Sequence, residues 1–325
     1  MKQTLPLDLK NETREPSPPF QLSAGRRASM RLEKHYRPSD ELVDAVKVAL
    51  LLRKPLLVTG EPGTGKTELG RYLAWKMGLE CHQFDAKSNS QAQDLYYTYD
   101  ALGRYQARQS GDVAEARSYL RFNALGGAIL QVAQTTEELR RVLPDQVTEV
   151  KRQSVVVIDE IDKAPRDFPN DLLNELDAMF FHVPPLSNLK ITAEKGYEPI
   201  LVITSNSEKN LPPAFLRRCV YFHIDFPKLA ELQVIAGDRV AEFEGSPALD
   251  DALGLFLKLR AENLLQKRPA TAELLDWLLA MSAGGVDPLQ KLSAQRQQVL
   301  ATLPALVKHE ADRAAALELA QKQLG

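Results

Sequence analysis

Short apolar runs alternate with amphipathic helical segments in the central part of the chain. Runs without polar alternation are typical of strands buried on both faces, and strands separated by helices indicate a parallel sheet. The predicted fold class is therefore α/β, with a parallel sheet between helices and a C-terminal all-α lid. The predicted strands are residues 56–59, 81–84, 155–158, 200–204 and 221–224.

The distribution of polar and apolar residues divides the chain into three expected regions. Residues 1–36 are rich in Pro, Ser and charged side chains and are expected to form a polar arm, whereas 37–227 form an αβα core. Residues 228–325 show only helical periodicity, which predicts a helical lid and a C-terminal helix. Within the core, 169–180 is expected to be one helix, and 181–183 with 189–192 a hairpin.

The composition argues against a membrane-spanning, secreted or zinc-binding protein. The net charge is −2, 44% of the residues are hydrophobic, and no apolar stretch is long enough to span a membrane. The first twenty residues lack the apolar core of a signal peptide. Cys81 and Cys219 are expected to be buried free thiols, and the five His show no metal-ligand spacing. These features predict a cytoplasmic protein.

The first candidate site follows the strand at 56–59. Residues 60–67 read GEPGTGKT, and a helical pattern begins directly after them. A loop of this composition points backbone N–H groups at phosphate oxygens, its lysine reaches the β and γ phosphates, and its threonine hydroxyl ligates Mg²⁺. The candidate nucleotide-binding residues are Gly60, Glu61, Pro62, Gly63, Thr64, Gly65, Lys66, Thr67 and Glu68.

A second candidate site ends the strand at 155–158, where residues 155–162 read VVVIDEID. Asp159 is placed to hold the Mg²⁺ shell, partly through water. Glu160 is placed to take a proton from an attacking water. The alternative is an acidic strand end that simply faces solvent.

Two further polar segments follow buried strands. Residues 200–206 read ILVITSN, so Asn206 could orient the attacking water or could cap a turn. Residues 211–219 read LPPAFLRRC, in which Arg217 and Arg218 are either surface charges or an arginine finger for a neighbouring subunit.

A tyrosine-rich segment lies between the second and third predicted strands. Residues 94–105 read DLYYTYDALGRY, and Tyr96, Tyr97 and Tyr99 do not keep a clean helical spacing. We expect Tyr97 and Tyr99 to contact a client protein, since tyrosine offers a large area and a polar tip. Packing of these side chains on the core is the alternative.

These motifs, in this order, resemble those of the AAA+ ATPases, specifically the MoxR-like branch, over residues 38–280. The resemblance implies that Lys66, Thr67 and Asp159 bind ATP and Mg²⁺, that Glu160 is the catalytic base, and that Asn206 is the sensor. It also implies a finger at Arg218, with Arg217 as second choice.

One position departs from the family pattern. The resemblance implies an arginine at the start of a lid helix, but the corresponding residue is Ala270, and Arg268 is the nearby substitute. Whether an arginine of the lid contacts the nucleotide is therefore an open question at the level of the sequence.

The function that the resemblance implies is Mg-dependent ATP hydrolysis by a ring, usually hexameric, that remodels or activates a client protein as a chaperone. A von Willebrand A domain protein is a frequent companion of such rings. The alternative is a motor or loader acting on nucleic acid, which the near-neutral charge disfavours. A scaffold with little turnover is disfavoured by Glu160, and a switch GTPase by the lack of an N-K-x-D motif.

Overall fold

The computed structural model describes residues 35–111, 114–147, 149–207, 211–261 and 265–325. The polar arm expected over 1–36 lies almost entirely outside these residues. The chain divides into two compact units. The α/β unit comprises Pro38–Gly60 and Gly65–Ile224, and the helical unit comprises Asp225–Gly325 with Glu61–Thr64 and the described residues up to Arg37.

A five-stranded parallel sheet organises the α/β unit, and its strands lie in the order β2 (Glu80–Asp85), β5 (Ser154–Asp159), β8 (Ile200–Ser205), β1 (Leu56–Gly60) and β9 (Val220–Ile224). The predicted α/β fold class is confirmed. The central strands β1, β5 and β8 are almost entirely buried, as their apolar runs predict. The strands of the unit are β1 (Leu56–Gly60), β2 (Glu80–Asp85), β3 (Tyr97–Tyr99), β4 (Leu120–Phe122), β5 (Ser154–Asp159), β6 (Phe180–Val183), β7 (Leu189–Thr192), β8 (Ile200–Ser205) and β9 (Val220–Ile224).

Helices surround this sheet. The first of them begins at Ser39, whose hydroxyl accepts the Leu42 N–H, and ends at Arg53 in the left-handed conformation. The helices of the unit are α1 (Asp40–Leu52), α2 (Lys66–Met77), α3 (Ala101–Gln109), α4 (Ala124–Gln131), α5 (Glu137–Val142), α6 (Phe168–Asp171), α7 (Leu173–Ala178) and α8 (Pro213–Leu216).

Helix α2 packs directly against strand β5 at Gly70. A Cβ at Gly70 would lie 2.2 Å from Cγ2 of Val157. No side chain tolerates such a contact, so the glycine permits this approach. The approach sets Thr67, at the start of α2, against Asp159 at the end of β5.

The segment before α3 contains the tyrosines that were expected to contact a client protein. Tyr96 and Tyr97 are buried, and both rings pack against Phe181 of β6 at centroid distances of 5.1 and 6.4 Å. The expectation that Tyr97 contacts a client is therefore wrong, because its ring belongs to the core. Tyr99 is only partly buried, and its hydroxyl accepts a hydrogen bond from Arg104.

The region before β8 is partly as expected. Strands β6 and β7 pair antiparallel, so the expected hairpin is present. The single helix expected over 169–180 is instead two short helices, α6 and α7, and Met179 ends the second in the left-handed conformation. Phe180 then enters β6 rather than the helix.

The helical unit carries its own core around the fully buried Trp277 and Phe256. The last part of this unit is not one continuous helix: one helix ends at Thr302 and the next begins at Glu310, because Pro304 between them cannot supply the N–H that a continuing helix needs. In the part of the chain that the structure describes, no helix is long and apolar enough to cross a membrane. The helices of the unit are α9 (Leu229–Arg239), α10 (Pro247–Ala261), α11 (Thr271–Ala283), α12 (Arg296–Thr302) and α13 (Glu310–Gln323).

Both cysteines are free thiols, as expected. The expectation that both are buried is wrong for Cys81, and Cys219 is only partly buried. Cys81 is exposed, whereas burial raises the pKa of the Cys219 thiol to about 12. Cys219 is therefore protonated and unreactive at neutral pH.

Candidate functional site

The loop between β1 and α2 takes a conformation that glycine permits. Gly63 and Gly65 have φ of 78° and 89°, which a side chain would make strained. Gly65 precedes the first residue of α2 and offers no side-chain cap to the orphan N–H groups of that helix. A helix N-terminus of this kind favours a bound anion, because its N–H groups and the helix dipole point outward.

Lys66 is buried, with only 6% of its surface exposed. Its ammonium donates to the Gly60 carbonyl at 2.8 Å and to Oδ1 of Asn206 at 3.0 Å. Asn206 follows β8, which pairs directly with β1, so the sheet brings these two motifs together. The structure thus joins two residues that the sequence separates by 140 positions.

Asp159 accepts hydrogen bonds from two threonine hydroxyls. Its Oδ1 accepts hydrogen bonds from Thr67 at 2.8 Å and from Thr204 at 2.6 Å. Thr204 in turn accepts the Glu160 N–H at 2.8 Å. The hydroxyl at position 67 and the carboxylate at position 159 therefore meet as the two motifs predict, and Thr204 orients both acidic residues.

Glu160 adopts the left-handed conformation, with φ of 53°. One carboxylate oxygen, Oε1, accepts from the Asn206 amide at 3.4 Å, and the other, Oε2, accepts from the Lys163 ammonium. That hydrogen bond from Lys163 to Glu160 raises the pKa of Lys163 above its usual range. Both oxygens of the predicted base are therefore engaged.

Four polar side chains thus form one connected cluster, running from Lys66 through Asn206 and Glu160 to Lys163. The cluster lies at the carboxyl ends of β1, β5 and β8. Ligands of open parallel sheets bind at this edge.

A comparison with known families decides the identity of the chain. The family described as the AAA domain (dynein-related subfamily) matches residues 55–219, which is 165 of 325 residues. The chain belongs to this family. Together with the similarity to CbbQ given below, this membership confirms the predicted recognition of the chain as a MoxR-like AAA+ ATPase.

The similarity to individual known proteins covers different shares of the chain. Protein CbbQ of Allochromatium vinosum is 39% identical over 46 residues, which is 14% of this chain. The chain spans 62% of the length of that relative. The solved Thermotoga maritima RuvB Holliday junction branch migration motor is 14% identical, with a TM-score of 0.49, covering 88% of this chain and 78% of that one. A variant of the same RuvB gives 16% identity and a TM-score of 0.47, covering 82% and 68%.

The AAA domain holds its two candidate finger arginines differently. Arg218 donates from Nε to Asp177 at 2.6 Å and from Nη1 to the Ala214 carbonyl at 3.2 Å. Arg217 is exposed, and its carbonyl accepts from Lys54. Arg218 is thus restrained by contacts within its own chain, whereas Arg217 is exposed.

The predicted loop residues outside the cluster have their own partners. The Thr64 hydroxyl donates to the Glu61 carbonyl at 2.9 Å, and Pro62 is exposed. Glu68 accepts from Arg71 at 2.8 Å through Oε1, while its other oxygen is buried without a hydrogen-bond partner. The structure therefore gives Glu68 a local role in helix α2.

Within the helical unit, an arginine that the sequence analysis missed contacts the loop. Arg260 is buried, stacks on the Phe226 ring at 3.4 Å, and donates to Oε2 of Glu61 at 2.6 Å. Ala270, the position where the family pattern implies an arginine, is buried, and Arg268 is exposed. No sequence signal distinguishes Arg260, because it continues an ordinary amphipathic helix.

Thr204 and Lys163 were also missed as site residues. Thr204 is the residue two before Asn206, and on a strand such residues share a face, which is a signal that could have identified it. Lys163 lies three residues after Glu160, and only the turn that follows β5 brings its ammonium to the carboxylate.

Proposed function

We propose that this AAA+ ATPase hydrolyses ATP with Mg²⁺ in a ring of identical subunits and uses the energy to remodel or activate a client protein. The observation that carries the hydrolytic part is that Lys66, Asp159, Glu160 and Asn206 lie together at one edge of the sheet. In this proposal the loop from Gly60 to Thr67 binds the phosphates, and Lys66 leaves Asn206 to reach them.

The residues present fit a magnesium ion. A hydroxyl and a carboxylate oxygen, those of Thr67 and Asp159, lie 2.8 Å apart, and Mg²⁺ takes such hard oxygen ligands together with substrate phosphates and water. Among the described residues, no group of three or more acidic, His or Cys side chains could hold a metal alone. Bound there, the ion would neutralise charge on the transferring phosphoryl group.

The remaining residues have chemical roles in the same proposal. Glu160 accepts the proton of the attacking water, and Asn206 orients that water through its amide. Thr204 fixes the backbone of Glu160 and the carboxylate of Asp159 by its two hydrogen bonds. These contacts hold the base beside the metal ligand before nucleotide arrives.

The arginines support the ring in this proposal. A guanidinium that stabilises the γ-phosphate in trans can supply three to five powers of ten in rate. Exposure favours Arg217 for this role, whereas the motif pattern favours Arg218, which is held by Asp177. Both candidates therefore enter the test.

Mixing two inactive variants tests the shared active site. Subunits with Lys66→Ala and subunits with Arg217→Ala or Arg218→Ala are expected to be inactive alone, because each lacks one half of the site. Mixtures of Lys66→Ala with the true finger variant should regain part of the phosphate release, since some interfaces combine two intact halves. A co-assembled mixture that stays as inactive as its parts, for both arginines, would refute the shared site.

The client part of the proposal is supported by helix α3, which buries none of its residues. Leu102 is 66% exposed and Tyr105 61% exposed on this helix. Exposed leucine and tyrosine side chains are suited to binding a protein surface, since they offer apolar area with one polar tip.

We expect ATP turnover to rise when a von Willebrand A domain protein is added and to stay unchanged with single- or double-stranded DNA. The double substitution Leu102→Ala with Tyr105→Ala should abolish that rise and leave basal turnover intact, because neither residue touches the cluster. Phosphate release measured under the three additions decides it. Stimulation by DNA alone would replace the client proposal with a nucleic-acid motor.

A further inference from the structure

The predicted base of this ATPase is held on both sides. Asn206 donates to Oε1 of Glu160 and Lys163 donates to Oε2. A carboxylate can take a proton from water only through an oxygen lone pair that the water can reach. In this arrangement the Lys163 ammonium would compete with water for one carboxylate oxygen of Glu160.

The backbone explains why Lys163 reaches Glu160. Glu160 is left-handed, and its N–H is fixed by the Thr204 hydroxyl. The following turn, Ile161–Lys163, then folds back so that the Lys163 N–H donates to the Glu160 carbonyl at 2.8 Å. The turn therefore brings the ammonium of the third residue beside the carboxylate of the first.

Asn206 and Lys163, the two partners of Glu160, differ in how a bound nucleotide would affect their hydrogen bonds. Asn206 is bonded to Lys66, so phosphates that draw Lys66 away also change the hydrogen bonding of Asn206. The link from Lys163 to Lys66 is indirect, because it runs through Glu160 and Asn206. Its side chain is 55% exposed, against 38% for Glu160, so water can replace its ammonium.

We propose that Lys163 is a positioning residue that restrains Glu160 at rest and is displaced from it in each catalytic cycle. The proposal rests on the proposed function, since it takes Glu160 as the base. The charged groups around the carboxylate are consistent with a local restraint: Asp159 and Asp162 also attract the ammonium and keep it beside the turn. Asp162 itself accepts the Asn206 N–H at 3.2 Å.

The strength of the ion pair between Lys163 and Glu160 sets an upper limit on its effect on turnover. An ion pair between two partly exposed side chains changes an equilibrium by up to about fivefold, because water screens the charges. Loss of the restraint should therefore raise the turnover number modestly and leave the Michaelis constant unchanged, since Lys163 does not contact the phosphate loop.

The experiment measures ATP turnover at saturating Mg²⁺ and over a range of ATP concentrations for Lys163→Gln, which removes the charge. We expect kcat to rise about two- to fivefold with KM unchanged. Lys163→Arg keeps a cation and should behave like the wild type. Lys47→Gln is the matched control, because Lys47 pairs with Asp44 at the same three-residue spacing on exposed helix α1, and it should change neither constant.

The outcomes separate the inference from the function it rests on. If the wild-type protein hydrolyses no ATP, the proposed function fails. If it does, and the folded Lys163→Gln protein has an unchanged or lower kcat, only the restraint fails. Should Lys163→Gln not fold, Lys163→Met is measured in its place, and a kcat at or below that of the wild type contradicts the proposal in the same way.

Discussion

Replacing Glu160 with glutamine is expected to reduce ATP hydrolysis by about a hundredfold or more while leaving ATP binding intact. A positioned general base contributes about two to four powers of ten in rate, and an amide cannot accept the proton of the attacking water. The substitution keeps the size of the side chain and a hydrogen-bonding group for Asn206. The folded site and its phosphate loop should therefore remain.

Two measurements check this expectation, phosphate release under saturating ATP and nucleotide affinity by calorimetry. Asp162→Asn is the matched control, since it removes a neighbouring carboxylate that touches the Asn206 backbone but not the proposed water. Its turnover should fall far less than that of Glu160→Gln. Hydrolysis at the wild-type rate by the Glu160→Gln protein would refute the assignment of the base.

Replacing Tyr97 with alanine is expected to destabilise the α/β unit by about 3 kcal/mol. Only 3% of the residue is exposed, and its ring packs against Phe181. Burial also raises the pKa of its hydroxyl, which fits a ring removed from water. Truncation would leave a cavity in a packed core, and the loss of contacts is not regained.

Tyr105→Ala provides the comparison, because Tyr105 lies eight positions later in the same segment and is 61% exposed. Its effect on the free energy of unfolding should stay within about 0.5 kcal/mol. Chemical denaturation of the two variants decides it. Equal stabilities would mean that Tyr97 does not support the core and would reopen its role at a client surface.

The residues of the candidate site could be located from the sequence. The loop of residues 60–67 and the strand end at Asp159 are each a few contiguous residues, and the physical demands of phosphate binding restrict their types. The alternation of apolar runs and helices also gave the parallel sheet correctly. That sheet is the element that joins Lys66, Asp159 and Asn206 at one edge.

The tyrosine segment shows what the pattern could not supply. Tyr97 and Tyr105 are the same residue type within one polar stretch, and nothing local says which of them meets Phe181, 84 positions after Tyr97. Likewise, the helical spacing over 169–180 did not reveal that Met179 would turn left-handed and send Phe180 into a strand. These outcomes depend on contacts made by residues far apart in the chain.

By itself, the sequence determined the α/β class, and it located the candidate phosphate loop with Lys66 and Thr67 and the acidic pair Asp159 and Glu160, whose roles stay predictions. Periodicity and short motifs are properties of neighbouring residues, so they can be recognised without the fold. Only the tertiary structure decided that Lys163 and Asn206 occupy both oxygens of Glu160 and that Arg260 meets Glu61. Partners of this kind are chosen by how turns and packed helices place side chains in space, which no local pattern encodes.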